Sequence, residues 1–244
     1  MSDGQLQVHV WRGGEKGALK TYSVSARDNQ TVLDVVTEIQ QRIDPTLSYR
    51  FACRVGVCGS CAMTVNGRPR WTCRTHVTRV AINSELTIEP LRNLPHIKDL
   101  ITDMAPFFEK WQRAGGVFEG TATRHDPPAS VTHEDRQRRN ADAGIECINC
   151  AVCYSACDVA GWNKDYLGPA ALNRAWTLLN DCRHGDHRGL LAVVSAAGGC
   201  SSCHTQGRCT EACPVELSPT RSIAGLKRAT LLNTLGLATD KVAS

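Results

Sequence analysis

Eleven of the thirteen cysteines lie in three short runs, and this clustering constrains the fold more than any other feature of the sequence. Most neighbouring cysteines in a run are separated by two, three or four other residues, too regularly for a scattered disulfide framework. The first residues, MSDGQLQVHV, show neither a secretory signal nor an arginine-rich presequence. We therefore expect an intracellular protein with reduced thiols, in which clustered cysteines bind metal.

The charge and the hydropathy of the chain argue against two further classes of protein. The sequence has 28 Lys and Arg residues against 24 Asp and Glu, a net charge of +4. This balance gives no basic footprint for nucleic acid, so we predict no nucleic-acid partner. The longest apolar stretch, residues 189–197, is far shorter than the roughly 20 residues that span a bilayer. Work at a membrane would therefore require a partner that holds the chain there.

The first hundred residues are predicted to form strands around one helix. Asn66-Gly67 stands between two short strand-like segments and indicates a tight hairpin. Apolar residues at helical spacing predict a helix over residues 32–43, ended by Pro45. Alternation and β-branched residues predict strands over residues 6–10, 18–24, 62–65, 68–73, 77–82 and 86–88. Strands wrapped around one helix favour a β-grasp sheet.

The pattern becomes helical after Pro90. An apolar stripe predicts a helix over residues 100–111, and residues 115–143 are polar enough for a surface loop or a poorly ordered helix. Further helices are predicted over residues 169–181 and 187–197 and from Pro219, after an N-cap at Ser218. The predicted fold class is α+β, with a β-grasp domain over residues 1–100 and an α-helical domain over residues 101–244.

The first cysteine run has the spacing of a plant-type two-iron ferredoxin. Cys53, Cys58 and Cys61 follow a C-x4-C-x2-C pattern, and Cys73 follows after eleven intervening residues. The two irons lie close together, so one tight loop can supply three thiolates, while Gly56 and Gly59 allow its N–H groups to approach the sulfides. A zinc site usually shows two C-x2-C pairs, and this run has one. The four cysteines are predicted to hold a [2Fe–2S] cluster.

The second and third runs resemble the two halves of a bacterial dicluster ferredoxin. The second run is complete, with C-x2-C-x2-C-x3-C spacing. In such ferredoxins the last cysteine of each run binds the cluster of the other run. This exchange predicts a [4Fe–4S] cluster on one set of four cysteines: Cys147, Cys150, Cys153 and Cys213. It leaves three cysteines for another centre: Cys157, Cys203 and Cys209.

Gln206 occupies the position in the third run where a ferredoxin has its second cysteine. A neutral amide is a poor ligand for iron bound to soft sulfide. Three thiolates and an empty corner therefore predict a [3Fe–4S] centre. Cys200 could rotate in as a fourth ligand, although it lies outside the register, and we expect it to be an ordinary thiol. Cys182 is expected to be a buried thiol on a helix.

With these three runs the sequence resembles the iron–sulfur subunit of succinate dehydrogenase and fumarate reductase. The resemblance covers nearly the whole chain. It is carried by CRVGVCGSC, HIKDLITDM, CINCAVCYSAC, GPAAL, CHTQGRCTEACP and SPTRSIAGLK. It implies an electron-transfer subunit, without catalytic residues of its own, that relays electrons between a flavin and a membrane quinone. The flavin would be the FAD of a catalytic partner that interconverts succinate and fumarate.

The resemblance also implies a setting for the chain. Membrane anchor subunits, which in this family can include a cytochrome b with haem, would hold it peripherally on the cytoplasmic face of a bacterial inner membrane. The family's quinone pocket borrows side chains near the three-iron cluster, and the matching residues are Trp162, His204 and Lys227. Without the resemblance these would be a half-buried tryptophan, a surface histidine and a solvated lysine. Asp158, in place of the family's frequent proline, and Gly161 depart from the pattern.

Two other functions remain open from the sequence. The motifs also fit a free-standing multi-cluster electron carrier without a catalytic partner. A structural zinc protein is the third hypothesis. Elemental analysis of iron and labile sulfide distinguishes it from the two electron-transfer hypotheses.

Overall fold

The computed structural model describes residues 4–237 of the chain, with Ala143 described by its backbone alone. Two compact units divide these residues. The first runs up to Met104 and includes a second segment, Ile148–Ala156, whereas the second contains Ala105–Cys147 and the chain from Cys157 onward. The sequence prediction of domains at residues 1–100 and 101–244 stays a prediction.

A five-stranded mixed sheet forms the frame of the first unit. Its order is β2-β1-β5-β3-β4, with β1 antiparallel to β2 and parallel to β5. The strands are β1 (Gln5–Arg12), β2 (Ala18–Ser25), β3 (Ala62–Val65), β4 (Arg68–Trp71) and β5 (Glu85–Glu89). The predicted tight hairpin joins β3 to β4 through Asn66 and Gly67, both with positive φ. This arrangement, with one principal helix, confirms the predicted β-grasp sheet.

Helix α1 (Val32–Glu38) covers the sheet and continues as a π-helical turn over Ile39–Ile43. Thr31 begins the helix with a capping box, in which its side chain accepts from the Asp34 N–H and the Asp34 carboxylate accepts from the Thr31 N–H. The buried helix residues pack on the inward side chains of β1 and β5. Along the chain, the cysteine loop lies between this helix and β3.

Two local predictions for this unit are wrong. Residues 77–82 were expected to form a strand, but Val77–Val80 form helix α2. Val77, Val80 and Ala81 pack against the core while the two residues between them are exposed, which is helical spacing rather than alternation. The predicted helix over residues 100–111 begins only at Ala105, because Leu100 is buried in the core of the first unit.

The chain before Ala105 forms a small hairpin of β6 (His96–Lys98) and β7 (Ile101–Thr102) that the sequence analysis did not identify. Asp99 lies at its tip and is 1% exposed. Its carboxylate accepts hydrogen bonds from the N–H groups of Gly13 at 2.8 Å and Ser48 at 2.9 Å, and from the Arg12 guanidinium at 3.1 Å. Burial raises the pKa of Asp99, but these donors outweigh it, so the pKa lies below its usual value.

The second unit is helical, as the sequence predicts. Helix α7 (Pro169–Leu179) is its centre and packs against four other helices. Those four are α3 (Ala105–Arg113), α4 (Arg136–Ile145), α8 (His187–Ser195) and α10 (Pro219–Thr234). Besides α2, the short helices of the described residues are α5 (Val152–Ser155) in the first unit, and α6 (Asp158–Trp162) and α9 (Arg208–Glu211) in the second, which also has a 3-10 turn at Cys200–Ser202. Ser218 caps α10 by accepting from the Arg221 N–H, as predicted.

Helix α4 occupies the end of the polar segment predicted as a loop or a poorly ordered helix. One expectation for this unit needs correction. Cys182 is exposed rather than buried, because α7 ends at Leu179 and the chain turns before reaching it. The arginine at the next position, Arg183, forms an ion pair with Asp181 at 2.7 Å.

Candidate electron-transfer centres

The first cysteine run forms a loop that leads directly into β3. Cys61 precedes the strand, and pairing of Ala62 with Trp71 places Thr72 beside Cys61 across the hairpin. The Thr72 hydroxyl donates to the Cys61 carbonyl oxygen at 2.8 Å. Cys73 follows in a 3-10 turn, where burial raises its pKa to about 12 and the thiols of Cys61 and Cys53 contribute. The hairpin therefore brings the distant fourth cysteine to the loop.

Backbone N–H groups of this loop surround the sulfur of Cys53. Those of Val57 and Cys58 each lie 3.3 Å from its Sγ atom, and that of Val55 lies 3.5 Å away. The N–H groups of Val55 and Val57 are the main cause that lowers the pKa of Cys53 to about 6. The loop is thus shaped to stabilise a thiolate, the form that binds iron. The four cysteines of the first run, brought together by this loop and the hairpin, fit a two-iron cluster.

The outer surface of the loop carries apolar side chains that the sequence analysis did not single out. Val55 is 61% exposed and Val57 is 64% exposed. The exposed Arg54 lies with its guanidinium 4.6 Å from the centre of the Phe51 ring.

The second cysteine run winds tightly because two of its non-glycine residues adopt left-handed conformations. These are Asn149, with a φ of 54°, and Ala151, with a φ of 60°. Cys153 follows on α5, which is attached to the rest of the first unit by hydrogen bonds from Arg92 N–H to the Ser155 hydroxyl and from the Asn93 amide to the Tyr154 carbonyl. The predicted four-iron ligand set also includes Cys147 and Cys213, and its assignment to one cluster stays a prediction.

Three cysteines of the second unit line one pocket. Cys157 is the N-cap of α6, Cys203 follows the 3-10 turn, and Cys209 lies on α9. Gln206 lines the same pocket. Three thiols and an amide around one space match the donor set that the sequence predicts for a three-iron cluster with an empty corner. The donor set fits such a centre, and the ligand roles themselves stay predictions.

Cys200 is turned toward another part of the unit. It is 2% exposed, and its Sγ atom lies 3.8 Å from the Thr230 hydroxyl on α10. The residues that line the three-cysteine pocket do not include it. This placement is that of an ordinary buried thiol.

Tyr166 is a pocket residue that the sequence analysis missed. It is 1% exposed and lines the pocket together with Cys157, Cys203 and Cys209. Burial raises its pKa, with smaller contributions from the three cysteines and from a hydrogen bond to Cys203. Its place two residues before Gly168, the first residue of the GPAAL segment, was the available signal.

The three residues predicted near the quinone lie beside the third cysteine run. Trp162 is 62% exposed, and its ring meets that of His204 edge-on at 5.5 Å between centroids. Lys227 on α10 donates from Nζ to the Cys203 carbonyl oxygen at 2.6 Å. Asp158, one of the departures from the family pattern, forms an ion pair with Arg208 at 3.4 Å. A ring pair and an ammonium group thus adjoin the segment that carries Cys203.

The geometry also bears on the zinc alternative. Among residues 4–237, no three His, Cys, Asp or Glu side chains are arranged to hold a single metal ion. The thiolates of an iron–sulfur cluster bind different irons and need not converge on one point, so this finding concerns a lone ion and not a cluster.

Within residues 4–237 no helix is both long enough and apolar enough to cross a bilayer.

Comparison with known proteins finds two cluster-binding modules in the chain. Residues 5–109 match the model of a 2Fe-2S iron-sulfur cluster binding domain, and residues 146–218 match that of a 4Fe-4S dicluster domain. The fold and these modules define a multi-cluster protein of the ferredoxin class.

Relatives of known name identify the family within that class. The fumarate reductase iron-sulfur subunit of Mycobacterium tuberculosis is 35% identical over 215 residues, 85% of this chain and 84% of the relative. The mitochondrial succinate dehydrogenase [ubiquinone] iron-sulfur subunit 1 of Oryza sativa is 34% identical, over 87% of this chain and 76% of the relative. A chain of the Mycobacterium smegmatis Sdh1 complex superposes with a TM-score of 0.85 at 26% identity, over 96% of this chain and 98% of that one. The chain belongs to the family of iron–sulfur subunits of succinate dehydrogenase and fumarate reductase, and is a subunit of an oxidoreductase complex.

Proposed function

We propose that the chain carries electrons between the flavin of a catalytic partner subunit and a quinone at a membrane anchor, through a two-iron, a four-iron and a three-iron cluster. The partner interconverts succinate and fumarate, and this chain makes and breaks no substrate bond. The single observation that carries the proposal is the pocket in which Cys157, Cys203 and Cys209 meet Gln206. Three thiols and one non-ligating amide favour a three-iron centre over a second four-iron cluster.

The ligands proposed for each cluster follow the cysteine runs. Cys53, Cys58, Cys61 and Cys73 bind the two-iron cluster, supported by the N–H groups around Cys53. The four-iron cluster takes its ligands from both dicluster runs: Cys147, Cys150, Cys153 and Cys213. The remaining three cysteines bind the three-iron cluster. Each cluster, when bound, accepts and passes on one electron, and the residues around it set the potential at which this happens.

The two-iron cluster faces the flavoprotein and the three-iron cluster faces the quinone. Support for the quinone end comes from Trp162, an exposed residue whose indole N–H can donate to a quinone oxygen. His204, in ring contact with Trp162, is placed to hydrogen-bond or to relay protons. Lys227 adds a cation close to Cys203. The anchor holds this end of the complex at the cytoplasmic face of a bacterial inner membrane.

The test combines elemental analysis with electron paramagnetic resonance of the purified complex. We expect about nine irons and about ten labile sulfides per chain, together with a paramagnetic signal from an oxidised three-iron centre. Zinc without sulfide, or oxidised protein without that signal, contradicts the proposal. Purification of the chain loaded with clusters but without a flavoprotein would instead support a free-standing carrier.

A further inference from the structure

A hydroxyl group lies against the sulfur of one of the three pocket cysteines. The Oγ1 atom of Thr220 is 3.3 Å from the Sγ atom of Cys209. Cys209 is 8% exposed, so water hardly competes for this sulfur. Thr220 is the second residue of α10, next to the Ser218 cap and Pro219.

Thr210 fixes the position of Thr220 through two hydrogen bonds. The N–H group of Thr220 donates to the Thr210 hydroxyl oxygen at 3.3 Å, and the Thr210 hydroxyl donates to the Thr220 oxygen at 2.8 Å. The Ser218 hydroxyl lies 3.4 Å from that of Thr210. The three hydroxyl groups thus form a short chain that ends at Cys209.

The number of hydrogens available decides which hydroxyl group donates to which in this series. Each hydroxyl group has one hydrogen to donate. Thr210 uses its hydrogen on Thr220, so the hydrogen of Thr220 remains for Cys209. A thiolate bound to iron has no hydrogen and can only accept. Hydroxyl groups that donate in sequence polarise one another and strengthen the last bond.

We propose that Thr220, oriented by Thr210, donates a hydrogen bond to the Cys209 thiolate and so raises the reduction potential of the three-iron centre. This inference rests on the proposed role of Cys209 as a ligand. Reduction adds one negative charge to the centre, and part of that charge lies on the thiolate sulfurs. A donor at the sulfur stabilises the reduced form more than the oxidised form, and hydrogen bonds to the sulfurs are one of the factors that set cluster potentials.

The experiment is a redox titration of the assembled complex, followed by the paramagnetic signal of the oxidised three-iron centre. Thr220→Val keeps the shape of the side chain and removes the hydroxyl group. At the wild-type midpoint potential we expect the ratio of oxidised to reduced centre to rise at least about threefold, where tenfold corresponds to 59 mV for one electron. Thr220→Ser, which restores the hydroxyl, should return the ratio to the wild-type value. Thr210→Val should shift it in the same direction as Thr220→Val, but less.

Thr230→Val is the matched control. Thr230 lies on the same helix, and its hydroxyl group faces the sulfur of Cys200, which is not a proposed ligand. We expect no shift in this variant.

An unchanged ratio in Thr220→Val, with the signal present, would overturn the inference, and so would a Thr220→Ser variant that behaves like Thr220→Val. If Thr220→Val fails to retain the centre, Thr210→Val decides, and an unchanged ratio there overturns the inference. Absence of the three-iron signal from the wild-type complex is a separate result, because it contradicts the proposed function itself.

Discussion

Gly59 lies so close to Cys150 that a Cβ atom on Gly59 would stand 2.5 Å from the Cβ atom of Cys150. Gly59 belongs to the loop proposed to bind the two-iron cluster, and Cys150 is a proposed four-iron ligand. The φ of Gly59 is +71°, a conformation that side chains rarely adopt. Both the backbone and the space at this position therefore require glycine.

Gly59→Ala should destabilise the chain and reduce the amount of two-iron cluster, because either the loop or the Cys150 segment must move. The control is Gly67→Ala, since Gly67 has a similar φ of +75° but open space around it. That variant should cost only the left-handed conformation, about 1–2 kcal/mol. Iron content and thermal melting measure the two effects, and equal losses in both variants would contradict a steric role for Cys150.

Asp99→Asn should lower the free energy of unfolding by about 2–3 kcal/mol at neutral pH, because Arg12 and two N–H groups lose a charged acceptor. Asparagine tolerates the left-handed backbone of this residue, whose φ is 51°. The measurement is thermal or denaturant unfolding, compared with Asp28→Asn at an exposed position. A loss no larger than that of the Asp28 variant would show that the buried carboxylate adds nothing.

The same carboxylate should make stability depend on pH. The pKa of Asp99 is lower in the folded chain than the value of about 3.9 in an unfolded one. Its contribution is therefore complete above about pH 4 and is lost as the pH falls through the folded pKa. Melting temperatures between about pH 3 and pH 7 should fall more steeply at the acid end in the wild type than in Asp99→Asn. Parallel profiles would contradict this expectation.

Gln206→Cys should convert the three-iron centre into a four-iron cluster. The substitution restores the ferredoxin spacing and supplies a thiolate within the same pocket. The oxidised protein should lose the three-iron signal and gain about one iron per chain. Cys200→Ala is the companion variant and should leave the signal unchanged, since the sulfur of Cys200 faces Thr230. If Cys200→Ala instead alters the centre, Cys200 is a ligand and the three-thiolate assignment fails.

Trp162→Phe should weaken quinone binding with little effect on the clusters. Loss of one N–H donor at about 1 kcal/mol predicts a rise in KM for quinone of about fivefold. Steady-state assays with a soluble quinone measure KM, while the three-iron signal should stay as in the wild type. Trp11→Phe, which removes an indole that donates to the Gly14 carbonyl in the first unit, is the control. An unchanged KM in Trp162→Phe would remove this residue from the quinone site.

Some local structure could not be predicted from the sequence, because short segments fit both a strand pattern and a helix pattern. Residues 77–82 contain four β-branched residues, which favour a strand, yet burial of Val77 with Val80 and Ala81 selects a single helical turn. Leu100 fits a helical stripe with Phe107, but it is buried in the core of the first unit. In both places the outcome depends on which neighbours cover the apolar side chain, and a sequence does not state its neighbours.

The sequence by itself determined the types of cluster and the class of protein, because ligand spacing within a tight loop is a local property that iron and sulfide impose. It also predicted the empty corner of the third cluster, because Gln206 stands where a ferredoxin has its second cysteine. The ferredoxin exchange predicted that Cys157 joins Cys203 and Cys209, more than forty residues later in the chain, but only the tertiary structure decided how the segments around them form one pocket. The donors around those sulfurs, Tyr166 and Thr220, likewise come from separate elements. Hydrogen bonds of this kind depend on distances of a few ångströms between remote segments, which packing sets and spacing along the chain does not.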